Sequence, residues 1–181
     1  MTKEEKKKEF RSQCIQALKH RSKKQNYAKD KTLVDVLYAY IKEHEAQSIM
    51  LYLPLKIEVN LYPLIYRLRR EKKQLYVPFM EGNSFRLVKY RLPLQKKRFG
   101  IKEPKDSKQY KAKRIDMAIV PIVGLDITLR RVGFGKGMYD RFFEKNSKNI
   151  KHTVFVAREL CLTKAFITDD YDVQADRIFT P

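Results

Sequence analysis

Cysteine is scarce in this chain. Cys14 and Cys161 are its only two among 181 residues, and they form no CxxC pair. That is weak ground for a disulfide framework. With no export signal, both are expected as reduced thiols of a cytoplasmic protein. Histidine is also sparse. His20, His44 and His152 lack metal-ligand spacing and read as surface residues. No apolar run approaches the ~20 residues that a membrane-spanning helix needs. The basic start, Met1 to Lys8, is not followed by the apolar stretch of a secretory signal. Repeats, heptads and low-complexity linkers are missing, and no Ser/His/Asp or Cys/His nucleophile set stands out. Acidic residues are outnumbered: 21 Asp and Glu face 40 Lys and Arg, a formal charge of +19. Such an excess attracts polyanions, whether nucleotides, polyglutamates, nucleic acid or an anionic membrane. A hydrophobic content of 43% over this length supports one domain, 1–181, with a real core.

Glycine is rare as well, but half of it is concentrated. Three of six glycines fall in Arg131-Val132-Gly133-Phe134-Gly135-Lys136-Gly137-Met138-Tyr139-Asp140-Arg141. Glycine lets a backbone turn through positive φ and approach a ligand closely. Successive N–H groups then form an anion-binding nest, to which Lys and Arg add charge. The pattern after Gly137 is helical, so the turn feeds a helix N-terminus, a phosphate site by geometry. Asp140 falls in that helix's first turn, where it could also hold a cation. The P-loop is excluded because Gly137, not Ser or Thr, follows Lys136. The Rossmann fingerprint is excluded because the third glycine follows the second too closely. A tight surface turn with solvated basic residues remains the alternative.

Around this stretch the chain alternates apolar runs and amphipathic segments. Lys3 to His20 is a predicted helix with Phe10, Cys14, Ile15 and Leu18 as its stripe and Lys7 and Arg11 sharing a face. Arg21 to Lys31 reads as a polar turn, and Lys31 to His44 as a second helix. Ser48 to Leu53 is a buried parallel strand stopped by Pro54, followed by a loop holding Glu58 and a helix from Leu61 to Arg70. Lys72 to Pro78 and Ile115 to Pro121 are two more proline-terminated strands. The first completes a βαβ unit. Ser84 to Tyr90 reads as a half-exposed edge strand, and Leu92 to Lys113 as a basic loop. His152 to Ala157 is another buried strand. Leu160 to Phe166 reads as apolar enough to pack. Four aspartates mark the segment from Thr168, which ends in a short strand.

Taken together, Arg131-x-Gly-x-Gly-Lys-Gly-x-Tyr-Asp-Arg141, preceded by Ile119-Val120-Pro121 and Asp126, resembles the signature of the 5-formyltetrahydrofolate cyclo-ligase family, also called 5,10-methenyltetrahydrofolate synthetases. Further matches are Lys7-x-x-x-Arg11, Tyr52-Leu53 with Glu58, Gly100-x-x-Glu103-Pro104 after Phe99, and Asp172 with Asp176. The lysine run leaves the register of Lys7 open to Lys6 or Lys8. The resemblance implies an α/β, Rossmann-like three-layer sandwich with a mostly parallel central sheet flanked by helices. It implies ATP and Mg²⁺ as co-substrate and ion, and 5-formyltetrahydrofolate, with or without a polyglutamate tail, as substrate. ATP would be bound by Lys7, Arg11 and the run Arg131, Val132, Gly133, Phe134, Gly135, Lys136, Gly137, Met138 and Tyr139. Folate would be bound by Leu53, Glu58, Gly135, Lys136, Gly137 and Tyr139. Catalytic roles would fall on Lys136, Arg131 and Tyr139, and the metal on Asp140 and Asp172. Two positions depart from the family: Met138 replaces the first of two usual tyrosines, and Phe134 stands where a polar residue or Tyr is common.

A monomer without membrane association is expected. Two other readings stay open. A domain of charge +19 with 11 tyrosines and 10 phenylalanines could bind RNA by phosphate contacts and stacking, although no RNP, KH or zinc signature is present. Another phosphate-ligand enzyme on a similar fold, such as a sugar-phosphate isomerase, would need neither ATP nor Mg²⁺.

Overall fold

Along the central strands, neighbouring side chains alternate between two apolar cores. Ile49, Leu75, Val77, Met117, Ile119, Val154 and Val156 enter one core, and Met50, Tyr76, Ala118, Val120 and Phe155 the other. Strand side chains have a period of two, so a run buried on both sides marks a sheet covered on both faces. A computed structural model describes residues 1–23, 26–97, 100–105 and 114–181. Its helices are α1 (Lys3–Ser22), α2 (Tyr27–Glu43), α3 (Tyr62–Arg70) and α4 (Met138–Asn146). Its strands are β1 (Ser48–Met50), β2 (Gln74–Glu81), β3 (Ser84–Lys89), β4 (Leu94–Lys96), β5 (Lys102–Pro104), β6 (Ile115–Pro121), β7 (Gly124–Leu125), β8 (Arg131–Val132), β9 (Ile150–Val156) and β10 (Arg177–Phe179).

The main sheet runs β10-β9-β6-β1-β2-β3. Every pairing in it is parallel except β2 with β3, which places β3 antiparallel at one edge. α2 and α3 cover one face through Leu33, Leu37, Ile41, Leu64, Ile65 and Leu68. α4 covers the other through Phe142 and Phe143, with Phe85 of β3 stacked on Phe142 at 4.5 Å. The expected three-layer α/β sandwich is therefore the observed one. β1 and β6 lie side by side, yet the chain leaves β1 toward β2 and β6 toward β9. That divergence opens a crevice at the carboxyl ends of the two strands.

α1 starts in a capping box. The Thr2 hydroxyl accepts from Glu5 N–H, and the Glu5 carboxylate accepts from Thr2 N–H at 2.7 Å. It buries only a narrow stripe, Cys14 and Leu18.

Several expectations need correction. α1 and α2 run almost into each other, so Arg21 to Lys31 is mostly helical, with 24–25 outside the described residues. Pro78 does not end its strand. Gln74 and Tyr76 bond toward β1 whereas Leu75 bonds toward β3, so Pro78 turns its donor-less nitrogen toward β1, whose pairing has already stopped at Tyr76. The basic segment after Leu92 holds the β4–β5 hairpin; its Phe99, Lys108, Lys111 and Lys113 lie outside the described residues. Leu160, Leu162 and Phe166 do not pack: each is at least half exposed. The backbone there docks on Leu125 through Leu125 N–H to Cys161 C=O and Thr163 N–H to Leu125 C=O, leaving the side chains outward. His44 and His152 are half-buried rather than free on the surface, and their rings meet edge to face at 4.8 Å. Finally, Cys14 and Cys161 are not free thiols. α1 lies across the Gly124 turn, which brings their Cα atoms within 5.8 Å, and a disulfide joins them across 147 positions. The cytoplasmic expectation loses the support that it drew from reduced cysteines.

Candidate active site

Two cavities meet over the carboxyl ends of β1 and β6. The first, about 230 Å³, is largely apolar: Tyr52, Leu53, Leu55, Pro78, Met80, Ile101, Pro121, Phe134 and Met138 line it, with Glu58, Lys102, Arg131, Lys136, Gly137 and Tyr139 supplying polar atoms. The second is a polar groove of about 560 Å³. It is lined by Lys3, Glu4, Lys7, Lys8, Arg11, Gly133, Gly135, Lys136, Gly137, Asp140, Arg141, Ile167, Asp169, Tyr171 and Asp172. Lys136 and Gly137 belong to both.

The glycine run builds the wall between them. It leaves the β7–β8 hairpin at Val132, turns through positive φ at Gly135 and Gly137, and enters α4 at Met138. Gly137 caps α4 in the left-handed conformation (φ 61°), which orients the first free N–H groups of the helix without a side-chain cap. Gly133 answers a different demand. A Cβ there would stand 2.3 Å from Nη1 of Arg131, so a side chain is excluded by the buried guanidinium. Arg131 is fixed by its own bond from Nε to Pro121 C=O at 3.0 Å and lies under the Tyr139 ring at 4.7 Å. Arg141 ties the loop from outside, through Nε to Asn83 C=O at 2.7 Å and through Nη2 to Lys136 C=O.

α1 forms the outer bank of the groove. Arg11 Nε donates to Gly133 C=O at 2.9 Å, Lys7 Nζ bonds Asp172, and Lys3 Nζ bonds Asp169 at 2.6 Å. Asp172 also accepts from Asp169 N–H at 2.8 Å. Asp140 is held less firmly. Its Oδ1 is buried with no hydrogen-bond partner, and Nη1 of Arg131 is 3.9 Å away. No group of three or more His, Cys, Asp or Glu among the described residues is placed to hold a metal ion, so a cation at this open acceptor would need ligands from a bound anion or water.

In the apolar cavity, Glu58 Oε2 accepts from Leu55 N–H at 2.7 Å. Removal from water pushes its carboxyl up to about 7, against smaller opposing effects of that hydrogen bond, Arg131 and Arg158. Burial, then the Glu58 charge, raises the Tyr139 phenol well above its ordinary value, so it stays a hydroxyl. The Tyr52 hydroxyl, raised for the same reasons, donates to Val59 C=O at 3.1 Å.

A family model decides what these cavities belong to: that of the 5-formyltetrahydrofolate cyclo-ligase family matches residues 3–181. The chain belongs to the 5-formyltetrahydrofolate cyclo-ligase family. Cyclo-ligases of known identity agree. The one from Escherichia coli K12 is 29% identical over 143 residues, 75% of this chain and 79% of that one. The Haemophilus influenzae protein is 26% identical over 140 residues, 74% and 75% of the two chains. The solved 5,10-methenyltetrahydrofolate synthetase of Aquifex aeolicus superposes with a TM-score of 0.73 at 30% identity, covering 96% of this chain and 89% of that one. The Mycoplasma pneumoniae synthetase shares the fold, with a TM-score of 0.70 at 22% identity, covering 95% and 96%.

Most of the residues expected to serve a cyclo-ligase come together, divided between the cavities. Leu53, Glu58, Arg131, Phe134, Met138 and Tyr139 face the apolar one, and Lys7, Arg11, Gly133, Gly135, Asp140 and Asp172 the polar one. Phe134, Met138 and Tyr139 thus lie on the apolar side rather than in the groove. Val132 lines neither; its side chain is buried in β8 and its C=O accepts from Val123 N–H. Asp126 ties its own loop to Thr128, Ile167 and Thr168, Asp176 accepts from Thr153 N–H, and Glu103 accepts from Met80 N–H. Asp169, Tyr171, Met80 and Ile101 were missed by sequence reasoning. The aspartate cluster points to the first two and the Gly100-x-x-Glu103-Pro104 segment to Ile101, whereas nothing local points to Met80.

Proposed function

We propose that this chain uses ATP and Mg²⁺ to close 5-formyltetrahydrofolate to 5,10-methenyltetrahydrofolate, releasing ADP and phosphate. Family membership supports the overall conversion. The observation that carries the two-substrate reading is the shared wall: Lys136 and Gly137 line a polar groove and an apolar cavity at once. A group transferred from an anion in the groove to an acceptor in the cavity would pass Lys136.

A formamide carbonyl is a weak electrophile. Moving the γ-phosphoryl group of ATP onto the formyl oxygen turns that oxygen into a leaving group. N10 then attacks the formyl carbon and gives up its proton, the C–O bond breaks, and phosphate departs taking up that proton with the ring closed. No protein nucleophile is required, so the protein's work is positioning and charge stabilisation. Backbone N–H groups of the 133–137 turn, with Lys7 and Arg11, cradle the triphosphate. Lys136 and the fixed Arg131 face the phosphoryl group in flight. Asp140 and Asp172 would hold Mg²⁺, which would supply charge neutralisation on the phosphate oxygens. Glu58 accepts from donors of the pterin, Leu53 packs on its ring, and the Tyr139 hydroxyl stays protonated as a donor at the formyl end.

The test is optical. Protein, 5-formyltetrahydrofolate and Mg²⁺ are mixed with and without ATP, and absorbance in the methenyltetrahydrofolate band is followed. Growth that requires ATP and is lost in Lys136→Ala and Asp140→Asn is expected. A flat trace from folded, ATP-binding protein would refute the reading.

A further inference from the structure

The loop that carries Glu58 is held from behind by a buried ion pair that touches neither cavity. Arg158, just past β9, and Asp30, in the first turn of α2, are 128 residues apart and both buried. Their contact is bidentate: Arg158 Nε to Asp30 Oδ1 at 3.2 Å and Nη2 to Asp30 Oδ2 at 2.8 Å. Each partner then spends its remaining capacity on the same short segment. Arg158 Nη1 donates to Lys56 C=O at 3.0 Å, and Asp30 Oδ2 accepts from Asn60 N–H at 3.1 Å. The residues between these two ties are Ile57, Glu58 and Val59.

Removing two charges from water is costly, and a buried pair is often no more stable than apolar residues of similar size. What such a pair can do is fix geometry, and this one fixes both ends of a five-residue loop. We propose that Asp30 and Arg158 are positioning residues that hold the Glu58 carboxylate at the pterin end of the apolar cavity. The inference rests on the folate role given to Glu58 above. The charges around that carboxylate are few. Arg131 acts on it from β8 and Arg158 from behind, and the Tyr52 and Tyr139 hydroxyls also feel its charge. Asp30 sits behind Tyr52, while Lys102 and Lys136 line the same cavity.

The experiment uses the full chain with Arg158→Met, Arg158→Lys and the double variant Asp30→Leu with Arg158→Met. The double variant removes both charges together and so avoids an orphaned buried carboxylate. KM for 5-formyltetrahydrofolate and KM for ATP are measured separately across pH, beside thermal unfolding and hydrogen exchange of the 57–60 amides. The expected result in Arg158→Met and in the double variant is a folate KM raised on the order of tenfold, with ATP KM within about twofold. Arg158→Lys, which keeps the charge and one donor, restores part of the loss. The pH midpoint of folate KM moves upward in both methionine variants, because a cation facing Glu58 is gone. Exchange rises at 57–60 and nowhere near the groove. An unchanged folate KM and midpoint, or both KM values rising together with a fall in Tm, would overturn the proposal. If the wild type turns nothing over, the functional reading fails on its own. Exchange then decides the clamp: protection lost only at 57–60 supports it, and unchanged protection overturns it.

Discussion

A half-buried carboxylate with a pKa near 7 faces the apolar cavity, on the side proposed for folate. Glu58 is ordinarily a group of pKa 4.5. Its folded value is higher, so its contribution to stability is complete below pH 4.5 and fades as pH rises through about 7. Glu58→Gln should therefore stabilise the ligand-free protein at pH 8 by about 1–3 kcal/mol, read as a higher Tm, and change its stability little at pH 4. In the same variant folate KM should rise and lose its improvement between pH 6 and 8, because only the ionised carboxylate offers acceptors to two pterin donors. Gly133 is the second residue with a sharp consequence. Gly133→Ala forces Arg131 off Pro121 C=O and out from under Tyr139. A loss of about 1–3 kcal/mol by thermal unfolding is expected, with a larger fall in kcat than in ATP affinity. Both residues could be named in the sequence, Gly133 by its spacing and Glu58 by its place after a buried strand. Arg131 could be named as well, but not its approach to Gly133, since that contact depends on a turn whose dihedral angles no residue pattern specifies.

Among the helices, α1 buries the smallest share of its residues and relies on polar ties. Two buried residues and a set of lysines and arginines hold it, and the Cys14–Cys161 disulfide pins its middle. A cross-link over so long a loop contributes about 2–5 kcal/mol. Reduction, or Cys14→Ser, should lower Tm accordingly. It should also raise ATP KM more than folate KM, since Lys7 and Arg11 ride on this helix and Glu58 does not. The check is thermal unfolding and two-substrate kinetics with and without reductant, beside thiol counting. At this scale the sequence was uneven. Continuous apolar runs such as Ser48 to Leu53 and Ile115 to Pro121 announced buried parallel strands. The two-residue strands β7 and β8 are too short to leave a period. Leu160 to Phe166 misled because a docked backbone can carry leucines outward. The cysteines were misread because a pair far apart in sequence says nothing of the helix that brings them together.

The charge of +19 belongs to the molecule as a whole, and its effect is on encounter rather than fold. Raising the salt from about 0.05 to 0.5 M shortens the screening distance from well over 10 Å to under 5 Å. The expected outcome is a several-fold fall in kcat/KM for ATP with little change in Tm, measured by initial rates across ionic strength. Continuous apolar runs marked strands covered on both faces, and the family resemblance supplied the three-layer arrangement. The division of the site into two cavities did not, since it depends on how loops from four parts of the chain lean together. That convergence gives the groove a place in time. One bank is Lys3 and Lys7, and the other is Asp169 and Asp172, respectively 166 and 165 positions later. On a ribosome the first bank emerges early and waits for the second, while the Glu58 loop and its neighbouring strands are already through. A nascent chain thus carries its basic bank unpaired through most of its length, and the groove closes only when Asp169 and Asp172 have followed.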